Sequence, residues 1–174
     1  PEPIFDSAEV RFTTAIPAAQ GAANDNLLNL AYVGRARARL NMGDLPGAEA
    51  DAELVPEDFV YNATASTSAA RRNNRIYQQN NSGESVSVGA TYRNVTLAGA
   101  PDPRVPVEDQ DDLASDQSTP LWFQLKYGGL TAPTPIATGI EARLILAEAL
   151  GGAAGIAILE ELRADHGLAP LTVA

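Results

Sequence analysis

The chain has 174 residues, no cysteine and a formal net charge of −10, with 45% hydrophobic residues and a mean hydropathy of −0.12. A chain of this length fills one domain and buries a real core. The missing thiols exclude disulfides, zinc–thiolate sites and cysteine nucleophiles, and the acidity argues against nucleic acid, whose phosphates would be repelled.

Residues 5–20, FDSAEVRFTTAIPAAQ, read as one helix, with Asp6 or Ser7 as cap, Val10, Ala15 and Ile16 as its apolar face, and Pro17 as a kink or stop. Residues 21–25 form a turn into the stretch 26–55, which reads as two helices. Leu28, Tyr32, Ala36 and Leu40 recur every four residues and so share one side of the first, with Arg35, Arg37 and Arg39 along its flanks, heads in water. Gly43 suits a left-handed stop, Asp44 an N-cap and Pro46 a first helical turn. The second helix sets Leu45, Ala48, Ala52 and Val55 on one face, keeps Glu49, Asp51 and Glu53 off it, and ends at Pro56. A helix pair with small residues and a Gly-Asp turn is tetratricopeptide-like, although the period of such arrays does not repeat.

The segment 57–135 changes character. Residues 71–81, RRNNRIYQQNN, follow neither helical nor strand period; Ser85–Val88 alternates like a strand, and Tyr92–Leu97 more weakly. Residues 99–106 carry three prolines and must be extended or turn structure, and 108–116 reads as an acidic loop. Leu121–Tyr127 is the best strand candidate, stopped by Gly128-Gly129. Helices return at Thr138, where Thr138 and Glu141 have the spacing of a reciprocal capping box. Gly151-Gly152 interrupts, residues 156–163 resume, and His166-Gly167 closes the second hairpin. The expectation is a mainly α single domain over 1–174, helical at 5–55 and 138–166, with tetratricopeptide-like hairpins and a loop-rich insertion at 57–135 carrying a few short strands.

Few residues offer chemistry. His166, the lone histidine, sits in a helix's last turn, where it suits the dipole. Asp102, Asp109, Asp111, Asp112 and Asp116 miss the calcium-loop spacing and read as solvated. No nucleophile elbow, phosphate loop, zinc-protease or dinucleotide motif is present. No enzyme activity, cofactor or metal is therefore expected. Asn62, Asn80 and Asn94 head Asn-x-Ser/Thr triplets, which matter only in a glycosylating host. Tyr77, Tyr92 and Trp122 lie in or beside the irregular segment, where rings over a rigid body either stack on sugars or fill a small satellite core.

Six stretches taken in order resemble the SusD/RagB family of nutrient-uptake outer-membrane lipoproteins. They are ARARLNMGDLPGAEADAELVPEDFVY at 36–61, RNNRIYQQNN at 72–81, PDPRVP at 101–106, QLKY at 124–127, PTPIATGIEARLILAEAL at 133–150 and AILEELRADHGLAPL at 157–171. The resemblance implies a mostly helical, non-catalytic binder of glycan or oligomeric nutrient. Such a protein is held by a lipidated cysteine on the extracellular face of the outer membrane of a bacterium and caps a SusC-like TonB-dependent transporter. Family members are far longer, and their anchoring cysteine, their N-terminal helices and their C-terminal segment have no counterpart in this sequence. Tyr77, Tyr92 and Trp122 are the candidate ligand contacts, by position and chemistry alone. The rival expectation is a structural, self-associating helical scaffold, because an array of hairpins without caps exposes apolar surface.

Overall fold

In the computed structural model, which describes residues 2–97 and 99–171, about 51% of the described residues are helical and the strands are short. The chain divides into two compact units, one made of the residues up to Asn62 together with those from Pro135 onward, the other of Ala63–Thr134.

The first unit is helical. Helix α1 (Glu2–Gly21) does not stop at Pro17 but runs through it. Proline removes one backbone donor, and in the preceding turn the Thr14 hydroxyl donates to the Val10 carbonyl at 2.9 Å. Helix α2 (Asp25–Met42) starts where the Asn24 side chain accepts from the Leu27 amide, and stops at Gly43, whose φ of 82° is the left-handed conformation glycine adopts without strain. Asp44 then caps α3 (Leu45–Ala52), with Pro46 in its first turn. Helices α5 (Gly139–Leu150) and α6 (Gly152–Asp165) follow directly on one another across Gly151, so α6 begins four residues before the apolar run at Ile156. Strands β1 (Val60–Ala63) and β6 (Thr134–Thr138) pair with each other, and the Gly139 amide donates to the Phe59 carbonyl at 2.8 Å. The end of β6 therefore lies beside the start of β1, and the chain leaves at Ala63 and returns at Thr134 on the same end of the pair.

Helix α2 is enclosed on more than one side, packing on α1, α3 and α5. Its fully buried residues are Val33 and Ala36, which join Ala48, Ala52, Val55, Phe59, Ala142 and Ile145 in one core. Small residues permit this closeness. A Cβ on Gly139 would meet the Pro56 and Glu57 carbonyl oxygens at 2.3 Å, so the junction of β6 and α5 admits glycine alone. Two features depart from the sequence expectation. Asp51 is buried, and Arg35 and Arg39 turn inward to it, with Nε and Nη2 of Arg35 at 2.8 and 2.6 Å from its oxygens and Nη1 of Arg39 at 3.0 Å. A carboxylate held between two guanidiniums has its partners in the interior, whereas the helical period alone places it in water. Its hydrogen bonds raise the Arg35 pKa. The capping box is half made: Thr138 Oγ1 accepts from the Glu141 amide at 3.0 Å, but the Glu141 carboxylate takes a bidentate bond from Arg37 on α2, at 2.6 and 2.8 Å. A charged partner outbids a backbone amide.

The second unit is irregular. A turn at Ala70–Arg72 leads into a single helical turn α4 (Arg75–Tyr77) that widens into a π-helical turn over Gln78–Ser82. A further turn spans Ala90–Tyr92; short strands β2 (Thr96–Leu97) and β3 (Ala100–Pro101) pair antiparallel, as do β4 (Val107–Leu113) and β5 (Pro120–Gln124). No helix among the described residues is long and apolar enough to cross a membrane.

Candidate functional site

The acidic stretch 108–116 is mostly strand, not loop. Asp109 lies opposite Trp122 and Glu108 opposite Phe123, with an irregularity before Leu113 pairs with Pro120. Acidic side chains are tolerated on a half-exposed edge, and here they also build turns. Asp116 closes the hairpin by accepting from the Ser118 and Thr119 amides at 3.0 and 2.8 Å and from the Thr119 hydroxyl at 2.6 Å. Those three bonds hold its carboxyl below the usual aspartate range, the hydroxyl contributing most. Among the described residues no three His, Asp or Glu side chains converge as metal ligands.

The other edge of β5 is held without a strand. Ser85–Val88, which alternates like one, forms no ladder and gives β5 a single backbone bond, from the Val88 amide to the Trp122 carbonyl at 3.1 Å; side chains supply the rest. Ser87 Oγ accepts from the Trp122 amide at 2.9 Å and donates to the Pro120 carbonyl at 2.7 Å. Asn80, only 3% exposed, donates to the Val86 and Trp122 carbonyls, both at 2.9 Å, and accepts from the Gln124 amide at 2.7 Å. Asn81 pairs with Gln124 twice, and Gln124 in turn holds Tyr127. Each primary amide presents a donor and an acceptor in one plane, as a peptide does, so Asn80, Asn81 and Gln124 imitate a missing strand. This use of both ends of its amide also removes Asn80 as a glycosylation acceptor in the folded chain.

Trp122 sits at the centre of this scaffold, half-buried. The Arg93 guanidinium lies 5.8 Å from its ring centroid, within cation–π reach, and is itself tied by Nε to the Val88 carbonyl at 2.7 Å and by Nη2 to Ser87 Oγ at 3.2 Å. The indole therefore has a fixed orientation. It lines a groove of about 330 Å³, walled by Val95, Pro101, Pro103, Pro106 and Leu125. Asp102, on the same wall, is buried and bound by Arg104 at 2.9 and 2.6 Å, a bond that raises the arginine's pKa. An apolar wall with one fixed aromatic ring suits stacking on a ring-shaped ligand.

The other candidates lie outside this groove. Tyr92 is 60% exposed at the end of its turn, immediately before Arg93. Tyr77 is half-buried in α4, its amide donating to Asn74 Oδ1 at 3.0 Å. His166 is exposed, with Nδ1 2.9 Å from the Leu162 carbonyl at the end of α6. Sequence reasoning missed Arg93, Ser87 and Asn80, which set the indole in place. The Asn pair within 72–81 was the available signal, because amides in a run with no period are candidates for backbone imitation. Compared with known proteins, the chain matches no family model, no curated protein and no solved structure.

Proposed function

We propose that the chain is a non-catalytic binding module for a glycan or other oligomeric nutrient. In this reading it acts on the extracellular face of the outer membrane as the SusD-like partner of a TonB-dependent transporter. The observation that carries the reading is the groove beside Trp122, where the ring is oriented by Arg93 over an apolar, proline-walled surface. A sugar's apolar face stacks on such a ring while its hydroxyls reach the polar rim, Asn94 and Thr96 included. The titratable group lining the groove is Asp102, engaged with Arg104, which fits binding better than turnover. The ordered resemblance of six stretches supports the same reading. In it, α2–α3 and α5–α6 are two tetratricopeptide-like hairpins bearing a ligand-facing insertion, and Tyr77 and Tyr92 are secondary contacts.

Titration with neutral oligosaccharides tests this through the single tryptophan. Emission shifts on binding, and calorimetry shows Trp122→Ala weakening affinity by about 1–3 kcal/mol with helix content unchanged. Tyr92→Ala has a smaller effect. Unperturbed emission across the series would count against a glycan ligand.

A second reading, a self-associating helical scaffold, is favoured by one feature of the helical unit. Phe12, Ala15, Ala19, Leu27, Leu30 and Ala31 line an apolar groove of about 290 Å³ between α1 and α2, and Ile4 and Val10 on α1 are 74% and 61% exposed. Low-micromolar self-association, with no glycan response, would favour it.

A further inference from the structure

Apart from the Trp122 groove, the irregular unit holds a larger cleft, of about 630 Å³, over residues 63–76 and Thr134. Its lining includes Arg71, Arg72 and Arg75, and no Asp or Glu. We propose that this cleft binds a carboxylate- or sulfate-bearing saccharide. That the anion is carried on a sugar rests on the glycan reading above; that the cleft takes an anion does not.

The argument starts from charge. The chain carries 22 acidic against 12 basic residues, so an arginine has carboxylates in abundance to pair with. Arg35, Arg37, Arg39, Arg104 and Arg143 do, while Arg93 and Arg163 are taken up by backbone carbonyls instead. Arg71 and Arg72 sit side by side in the Ala70–Arg72 turn, exposed, and pair with no carboxylate among the described residues; Arg75 donates only to the neutral Gln78, at 2.7 Å. Three guanidiniums around one cleft repel one another unless an anion lies between them, and their planar forks match the two oxygens of a carboxylate or sulfate.

The surroundings decide the size of that anion. Charges beyond about 8–10 Å are screened at physiological ionic strength, so a small anion in the cleft feels the arginines, while a long polyanion such as nucleic acid also meets the net −10. The rest of the lining is that of a site for hydroxyls. Thr64, Ser66 and Thr134 offer donors and acceptors. Asn73, which lines the cleft beside Arg72, has a buried amide oxygen that takes no hydrogen bond among the described residues.

Calorimetric titration of the whole chain with a galacturonate trimer, the matching neutral galactose trimer, polyglutamate and inorganic sulfate tests the assignment. The acidic trimer binds more tightly than the neutral one, weakens as sodium chloride is raised, and loses about ten-fold in affinity or more in Arg71→Gln/Arg72→Gln. Trp122→Ala leaves that difference between acidic and neutral trimers intact. Both arginines are exposed, and an unchanged melting temperature of the variant separates loss of binding from loss of fold. Equal affinity for the two trimers, unaffected by the arginine substitutions, overturns the inference and leaves the glycan reading standing. Arginine-dependent binding of sulfate or polyglutamate at least as tight as that of the acidic trimer overturns the saccharide assignment. No measurable binding of any of the four overturns the site.

Discussion

Removing the Asp51 carboxylate would strip Arg35 of its bidentate partner and leave Arg39 with Glu9 at 3.0 Å and the more distant Asp44 at 3.8 Å. Arg35 is 15% exposed, so water compensates the stranded charge only in part. Breaking one side of a buried pair costs about 3–5 kcal/mol. Asp51→Asn is therefore expected to lower stability by about 3 kcal/mol in urea denaturation, with part recovered when Arg35→Met is added, since that removes one of the two cations that lost the carboxylate. Asp116 makes a contrasting case, exposed yet bound by three donors. Its folded pKa lies below its unfolded one, so its contribution is complete above the ordinary aspartate range and disappears as pH falls through the folded value. The melting temperatures of the wild type and Asp116→Ala should differ at neutral pH and converge on the acid side of that range. Parallel curves would mean the turn does not depend on the charge.

Among the elements, the caps from α2 onward were legible and partners were not; Asp6 and Ser7, the expected caps of the first helix, lie inside α1, which starts at Glu2. Gly43, Asp44, Pro46 and Thr138 stand where their chemistry places them, because each cap is set by residues within four positions. The destinations of Arg35, Arg39 and Glu141 depend on residues 16, 12 and 104 positions away, which no local period encodes. The same holds for β4, where an acidic run reads as a loop until β5 lies beside it, and for Trp122, whose candidacy was visible while its groove and Arg93 were not. Asn80 is the element-scale test. Asn80→Ala leaves the Val86 and Trp122 carbonyls and the Gln124 amide without that partner, at a cost of about 2 kcal/mol or more. Hydrogen exchange should show the Gln124 and Tyr127 amides losing protection while the amides of α2 keep theirs. Unchanged protection at Gln124 would mean that the strand imitation is not what holds β5.

For the whole molecule, the helical unit is assembled from two separated parts of the chain, residues up to Asn62 and residues from Pro135, with β1 and β6 paired at the place where the chain departs and returns. Replacing residues 63–134 by a short turn should therefore leave a helical unit that unfolds cooperatively, keeps the Arg37–Glu141 bond and gives a helix signal above that of the parent chain. A molten, non-cooperative product would show that α5 and α6 need the removed segment. The pairing of β1 with β6 also bears on how this chain can diversify. The free energy of closing a flexible loop rises with the logarithm of its length, about 0.6 kcal/mol for each doubling. Lengthening or shortening the excursion between Ala63 and Thr134 is thus nearly neutral for the helices that anchor it. A scaffold with that property can exchange one ligand-facing segment for another by insertion and deletion, while its own sequence remains under the constraints of Gly139, Asp51 and the α2 core.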